Sequence, residues 1–223
     1  MLNQNVEKMK TYLKGFLNGA NMTSSMSAID FICEKFQGMT RKDGKPAIIH
    51  PLAMACYALG VGVRDDNAIC VMLLHDIIED CNVAIDDLPF NDIIKKGVKY
   101  MTIGLFPGEQ KLENKRRYFN ELLESREATL CKAADRYYNL STMEGVLEEK
   151  NIIKNIVETH YFLMPILKEA QSKWISISNT IYIYRTNIMS INGTLAEVHH
   201  VELRDDYTTS PTIEEVLAPK EGK

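Results

Sequence analysis

The 223-residue chain carries 26 Lys and Arg against 30 Asp and Glu, a formal net charge of -4, so no overall basic field would draw in nucleic acid. Hydrophobic residues at 45% and charged residues at 25% are the balance of a soluble globular protein that can bury a core. The longest apolar runs are too short for a membrane span, and the polar, amphipathic N-terminal stretch does not read as a signal peptide.

The five cysteines, Cys33, Cys56, Cys70, Cys81 and Cys131, are odd in number and form no CxxC pair. That argues against a disulfide framework or a zinc knuckle and for reduced thiols in a cytoplasmic protein.

In chain order, Val6, Met9, Leu13, Phe16 and Leu17 recur at helical spacing, and a second helix is predicted near 26–37, stopped by Gly38. Residues 41–49 read as a loop with a short extended piece, punctuated by Gly44 and Pro46. Pro51 suits the first turn of a helix that ends at Gly60 and Gly62. Asp65 or Asp66 caps the next helix, expected to run to about Asp80. Its stretch Ala68-Ile-Cys-Val-Met-Leu-Leu74 is apolar all round and so belongs at the centre of a domain. Further helices are predicted near 89–102, 111–124, 126–145 and 148–173, the last kinked at Pro165. After Trp174 the pattern alternates apolar and polar residues, and Asn192-Gly193 is a type I′ turn signal, so 175–204 is read as a C-terminal β-hairpin. Residues 205–223 are polar, contain two prolines and are predicted to be a disordered tail. The expected organisation is an all-α helical bundle over 1–174 with the hairpin appended.

The chemistry concentrates at Leu73-Leu-His75-Asp76-Ile-Ile-Glu79-Asp80, where four ionisable residues end an otherwise buried helix. A buried charge is costly unless compensated, and neighbouring carboxylates repel each other; a divalent cation resolves both. Taken alone, a His-Asp pair is more often a solvated helix end. Three further residues shift the balance. His50 stands before Pro51 at a helix mouth. Asp135 interrupts the apolar stretch Leu130-Cys-Lys-Ala-Ala-Asp135, and Asn139 lies four residues on, on the same helical face. Two histidines and two aspartates form a mixed nitrogen and oxygen set that suits manganese, iron or a similar cation better than structural zinc.

These motifs, in this order, resemble the HD superfamily and within it the RelA/SpoT-type hydrolases. The resemblance rests on Arg41, Gly44-Lys-Pro46, His50-Pro51, His75-Asp76-Ile-Ile-Glu79-Asp80 and Ala134-Asp135-Arg136-Tyr-Tyr-Asn139, and covers roughly residues 5–170. It implies an all-α fold, metal ligation of Mn²⁺ or another divalent ion by His50, His75, Asp76 and Asp135, and water activation and proton transfer by Glu79 and Asp80. It implies contacts of Arg41, Lys42 and Asn139 with a guanine nucleotide, and of the basic helix bearing Lys111, Lys115 and Arg116 with phosphates. The implied reaction removes the 3′-pyrophosphate from guanosine 3′,5′-bis(diphosphate)-type alarmones, giving GDP or GTP. The small hydrolase-only branch of the family is the expected match, with a homo-oligomer through the hairpin as a possible assembly. Ala47 stands where the family commonly has an aromatic residue, and Cys81 where threonine is common. The rival readings are an HD-type phosphatase acting on another nucleotide, such as a nucleoside monophosphate or NADPH, and a non-catalytic module that binds an alarmone.

Overall fold

The computed structural model describes residues 5–104 and 111–204. Eleven α-helices among these residues carry the fold: α1 (Val6–Gly19), α2 (Thr23–Lys35), α3 (Ile49–Gly60), α4 (Asp66–Leu74), α5 (Ile77–Cys81), α6 (Asp92–Met101), α7 (Lys111–Glu121), α8 (Arg126–Thr142), α9 (Glu149–Glu158), α10 (Met164–Lys173) and α11 (Ser178–Val198). No β-strand occurs among the described residues; an isolated antiparallel bridge joins Thr40 to Pro46 across the loop before α3.

Local chemistry sets several helix starts. Asn5 caps α1 by accepting from the Glu7 and Lys8 amides, Asp65 caps α4 through the Ala68 amide, and Ser125 caps α8 through the Ala128 amide. The apolar α4 lies at the centre of the molecule. Every side chain from Ala68 to Leu74 is buried, and the helix packs against α2, α3, α6 and α8. Burying each of its large apolar side chains contributes roughly 1.5–3 kcal/mol. The α4–α6 crossing is close because residue 97 is glycine: a Cβ there would stand 2.5 Å from Val71 Cγ2.

The predicted helix over 148–173 is interrupted rather than merely bent. A π-helical turn over Thr159–Leu163 separates α9 from α10, and Pro165 lies in the first turn of α10. Proline has no N–H to give the carbonyl four residues back, so the preceding turn widens.

The β-hairpin expected over 175–204 is replaced by a helix. α11 buries Ile181, Tyr184, Ile188, Asn192 and Leu195, a spacing of three and four that a strand cannot place on one face. It packs chiefly against α8 and α10, and also touches α9. Tyr184 is fully buried with its ring 5.6 Å from Tyr57 and 6.1 Å from Tyr137, and Asn187 donates to the Tyr57 hydroxyl at 2.8 Å. The alternation over 181–188 matches both periods, and docking against existing helices favours the helical one. Asn192-Gly193 is therefore helix interior, with Asn192 Nδ2 donating to the Ile156 carbonyl at 3.2 Å. An assembly through a hairpin loses its basis. The tail predicted over 205–223 lies outside the described residues.

Candidate metal centre and cavity

Three separate segments deliver the expected ligands to one point. His50 lies in the first turn of α3, Asp135 lies midway along α8, and His75 and Asp76 stand where α4 ends and α5 begins. The expected continuous helix to Asp80 is broken here. Asp76, at φ -96° and ψ 1°, turns the chain out of helical geometry before α5 resumes. The break brings Asp76 Oδ2 to 2.9 Å from the Nε2 of its own neighbour His75.

The four donor atoms crowd together. His50 Nε2 is 3.1 Å from His75 Nε2, 3.3 Å from Asp135 Oδ1 and 3.7 Å from Asp76 Oδ2; His75 Nε2 is 3.9 Å from Asp135 Oδ1. Donors bound about 2.1 Å from one ion lie roughly 3.0–3.4 Å apart. His50, His75 and Asp76 offer donor atoms within 4.8 Å of one another, near enough for one divalent cation to draw together, and Asp135 Oδ1 stands beside both imidazoles. The chemistry of the set fits as well. His75 Nδ1 donates to the Met72 carbonyl at 2.9 Å, which leaves its Nε2 lone pair facing the site when the ring is neutral. His50, His75 and Asp135 are buried, and Asp76 is about one-third exposed.

The charges of the metal-free site are tightly linked. Burial lowers the His50 pKa, aided by His75 and opposed by Asp135. Burial acts the same way on His75, but Asp76 and Asp135 outweigh it and push the imidazole up to about 9. Burial opposes the charge on Asp135, yet Lys132 and the two imidazoles hold its carboxyl well below the usual range. Asp76 is also lowered, with burial opposing and His75 prevailing. Lys132 and the imidazoles offset the charge of the two carboxylates, and a cation would supply the same compensation.

A cavity of about 420 Å³ opens beside these groups. Arg41, Lys42, Ala47, His50, Asp76, Asp80 and Asn139 line it, with Phe36, Met39, Met143 and Leu147 forming apolar wall. Partial burial and the Asp76 carboxylate raise the Asp80 pKa. Asn139 lines the cavity and also donates Nδ2 to Asp135 Oδ1 at 2.6 Å.

Other expected residues lie elsewhere. Glu79 is exposed and accepts from the Ile103 amide at 3.2 Å; it does not line this cavity. Lys115 pairs with Glu158, and neither Lys115 nor the exposed Arg116 lines the cavity. The Lys111 side chain lies outside the described residues. Sequence reasoning passed over two residues beside the site. Lys132 places Nζ 3.0 Å from Asp135 Oδ2, a pairing that its spacing of three residues on an apolar helix signals. Tyr138 packs its ring against His50, and nothing in the sequence marks it.

No family model matches the chain. It is similar to guanosine-3′,5′-bis(diphosphate) 3′-pyrophosphohydrolase of Aquifex aeolicus, at 32% identity over 139 residues, covering 60% of this chain and 20% of that protein. It is similar to GTP pyrophosphokinase of Myxococcus xanthus, at 29% identity, with 62% of this chain and 19% of the relative covered. It is likewise similar to the bifunctional (p)ppGpp synthase/hydrolase SpoT of Escherichia coli, at 28% identity, with 51% and 17% covered. The chain thus spans about a fifth of the length of these curated relatives.

Proposed function

We propose, from the premise that this chain is a relative of the RelA/SpoT-type hydrolases, that it is a divalent-metal-dependent pyrophosphohydrolase of guanosine 3′,5′-bis(diphosphate)-type alarmones. The observation that carries the reading is the meeting of His50, His75, Asp76 and Asp135 at one point beside a cavity that also holds Arg41 and Lys42. Those four residues would hold the ion. Manganese is the favoured one, because two imidazoles with two carboxylates suit a borderline-hard cation. When bound, the ion would supply Lewis acidity to a phosphoryl oxygen and lower the pKa of water.

The remaining work falls to the chain's own groups. Asp80 sits on the cavity wall, where partial burial raises its pKa, and is the carboxyl placed to exchange a proton with water there. Glu79, one residue before it and held by the Ile103 amide, is the second acid of the proposed pair and acts from outside the cavity lining. Arg41 and Lys42 meet the nucleotide at the mouth, where the apolar wall of Phe36, Met39 and Met143 offers a face to a purine ring. Asn139 holds Asp135 on one side and borders the nucleotide on the other. Lys115 is engaged by Glu158, and the proposal gives it and Arg116 no contact with a substrate in this cavity.

The test is a substrate panel with Mn²⁺: ppGpp, pppGpp, deoxynucleoside monophosphates and NADPH, with pyrophosphate and orthophosphate measured separately. Pyrophosphate and GDP from ppGpp are expected. Orthophosphate from the other nucleotides with ppGpp untouched would overturn the alarmone reading, and so would ppGpp binding without turnover under every divalent metal tried.

A further inference from the structure

The two imidazoles at the centre are anchored differently. His75 is fixed through its second nitrogen, which donates to the Met72 carbonyl at 2.9 Å. His50 is 3% exposed, and its Nδ1 has no hydrogen-bond partner in the structure. A ligating histidine is ordinarily oriented through that second nitrogen, so His50 lacks the usual handle. Packing holds it instead. The Tyr138 ring lies 4.8 Å from the His50 ring at 54°, and His75 stands on it edge-on at 4.9 Å. The same tyrosine ring carries the Arg41 guanidinium, with Cζ 5.7 Å from its centroid. One half-buried aromatic on α8, three residues past Asp135, therefore touches both a metal-site imidazole and the arginine of the cavity.

We propose that Tyr138 is a positioning residue, whose ring sets the angle of the His50 imidazole and the place of the Arg41 guanidinium together. The inference rests on the metal-centre reading above and adds a residue to it. Rotation of the His50 ring about its Cβ–Cγ bond is limited by the Tyr138 ring tilted against it at 4.8 Å, which does mechanically what a bond to Nδ1 does for His75. The face of the Tyr138 ring is the negative end of its quadrupole, which favours the Arg41 guanidinium held over it. Removing the ring should loosen ion binding and nucleotide binding at once, whereas removing the hydroxyl should do neither.

The experiment is calorimetric titration of the metal-stripped full chain with Mn²⁺, for wild type, Tyr138→Leu and Tyr138→Phe, with KM and kcat for ppGpp measured alongside. Tyr138→Leu is expected to lose about tenfold in Mn²⁺ affinity, the usual scale for an outer partner of a ligating histidine, and to raise KM several-fold. Tyr138→Phe is expected to stay within about twofold of wild type in both, on the same scale. Wild-type Mn²⁺ affinity in Tyr138→Leu overturns the proposal, and so does an equal loss in both variants, which would assign the effect to the hydroxyl. If circular dichroism shows Tyr138→Leu unfolded at the assay temperature, Tyr138→Met takes its place with the same expectations. A wild-type chain that takes up no Mn²⁺ removes the metal-centre reading itself, a failure distinct from the loss of a difference between variants.

Discussion

Lys132→Met tests the electrostatics of the centre, because methionine keeps most of the unbranched apolar stem and removes the ammonium group. Lys132 Nζ lies 3.0 Å from Asp135 Oδ2, with the two side chains 14% and 9% exposed, so solvent screens the pair little. Burial works against the lysine cation, but Asp135 prevails and raises its pKa. Breaking a buried pair from one side typically costs 3–5 kcal/mol, since the other charge is left uncompensated. Here the remaining carboxylate keeps the Asn139 amide at 2.6 Å and His50 Nε2 at 3.3 Å, both on Oδ1, so the lower end applies, about 3 kcal/mol. For a chain of this size that is a fall in Tm of roughly 6–12 °C. The assay is thermal unfolding of the metal-stripped protein, repeated with saturating Mn²⁺. The ion brings positive charge to the same carboxylate, so it should stabilise the variant more than it stabilises wild type. In an Asp135→Asn background the same lysine substitution should cost less than about 1 kcal/mol, because the partner charge is gone. A metal-free Lys132→Met protein that melts with wild type, or an undiminished cost in the Asp135→Asn background, would refute the reasoning.

The remaining expectations concern separate parts of the molecule. Asp76→Ala should lose bound metal and turnover together, whereas Glu79→Ala should retain metal and lose turnover; metal analysis of each purified variant beside its rate for ppGpp distinguishes them, and wild-type rates in either contradict the assignment. Gly97→Ala places a methyl 2.5 Å from Val71 Cγ2 between α4 and α6, and should destabilise by about 1–3 kcal/mol in urea unfolding. His199, at the end of α11, has its pKa raised by hydrogen bonding to Glu144, against slight burial and with help from Glu149. Its contribution is complete below the unfolded value of 6.5 and is lost as pH rises through the higher folded value. As a surface pair it amounts to at most about 1 kcal/mol, and Glu144→Gln should flatten this part of the pH–stability curve.

The sequence by itself carried the helical class and singled out the histidines and aspartates that gather at the candidate metal centre. An apolar run closed by His75-Asp76, a histidine before Pro51 and an aspartate inside an apolar helix are local contradictions of burial, visible without coordinates. Tertiary structure decided the rest. Over 181–188 the side chains fit a strand as well as a helix, and only the docking of Tyr184 and Ile188 against the helices already in place selects the 3.6-residue period. The break at Asp76, the turning of Glu79 toward Ile103 while Asp80 stays on the cavity wall, and the seating of Tyr138 against His50 all depend on partners from distant segments. Sequence spacing can place residues on one face of one helix. Which atoms meet across helices depends on how those helices pack.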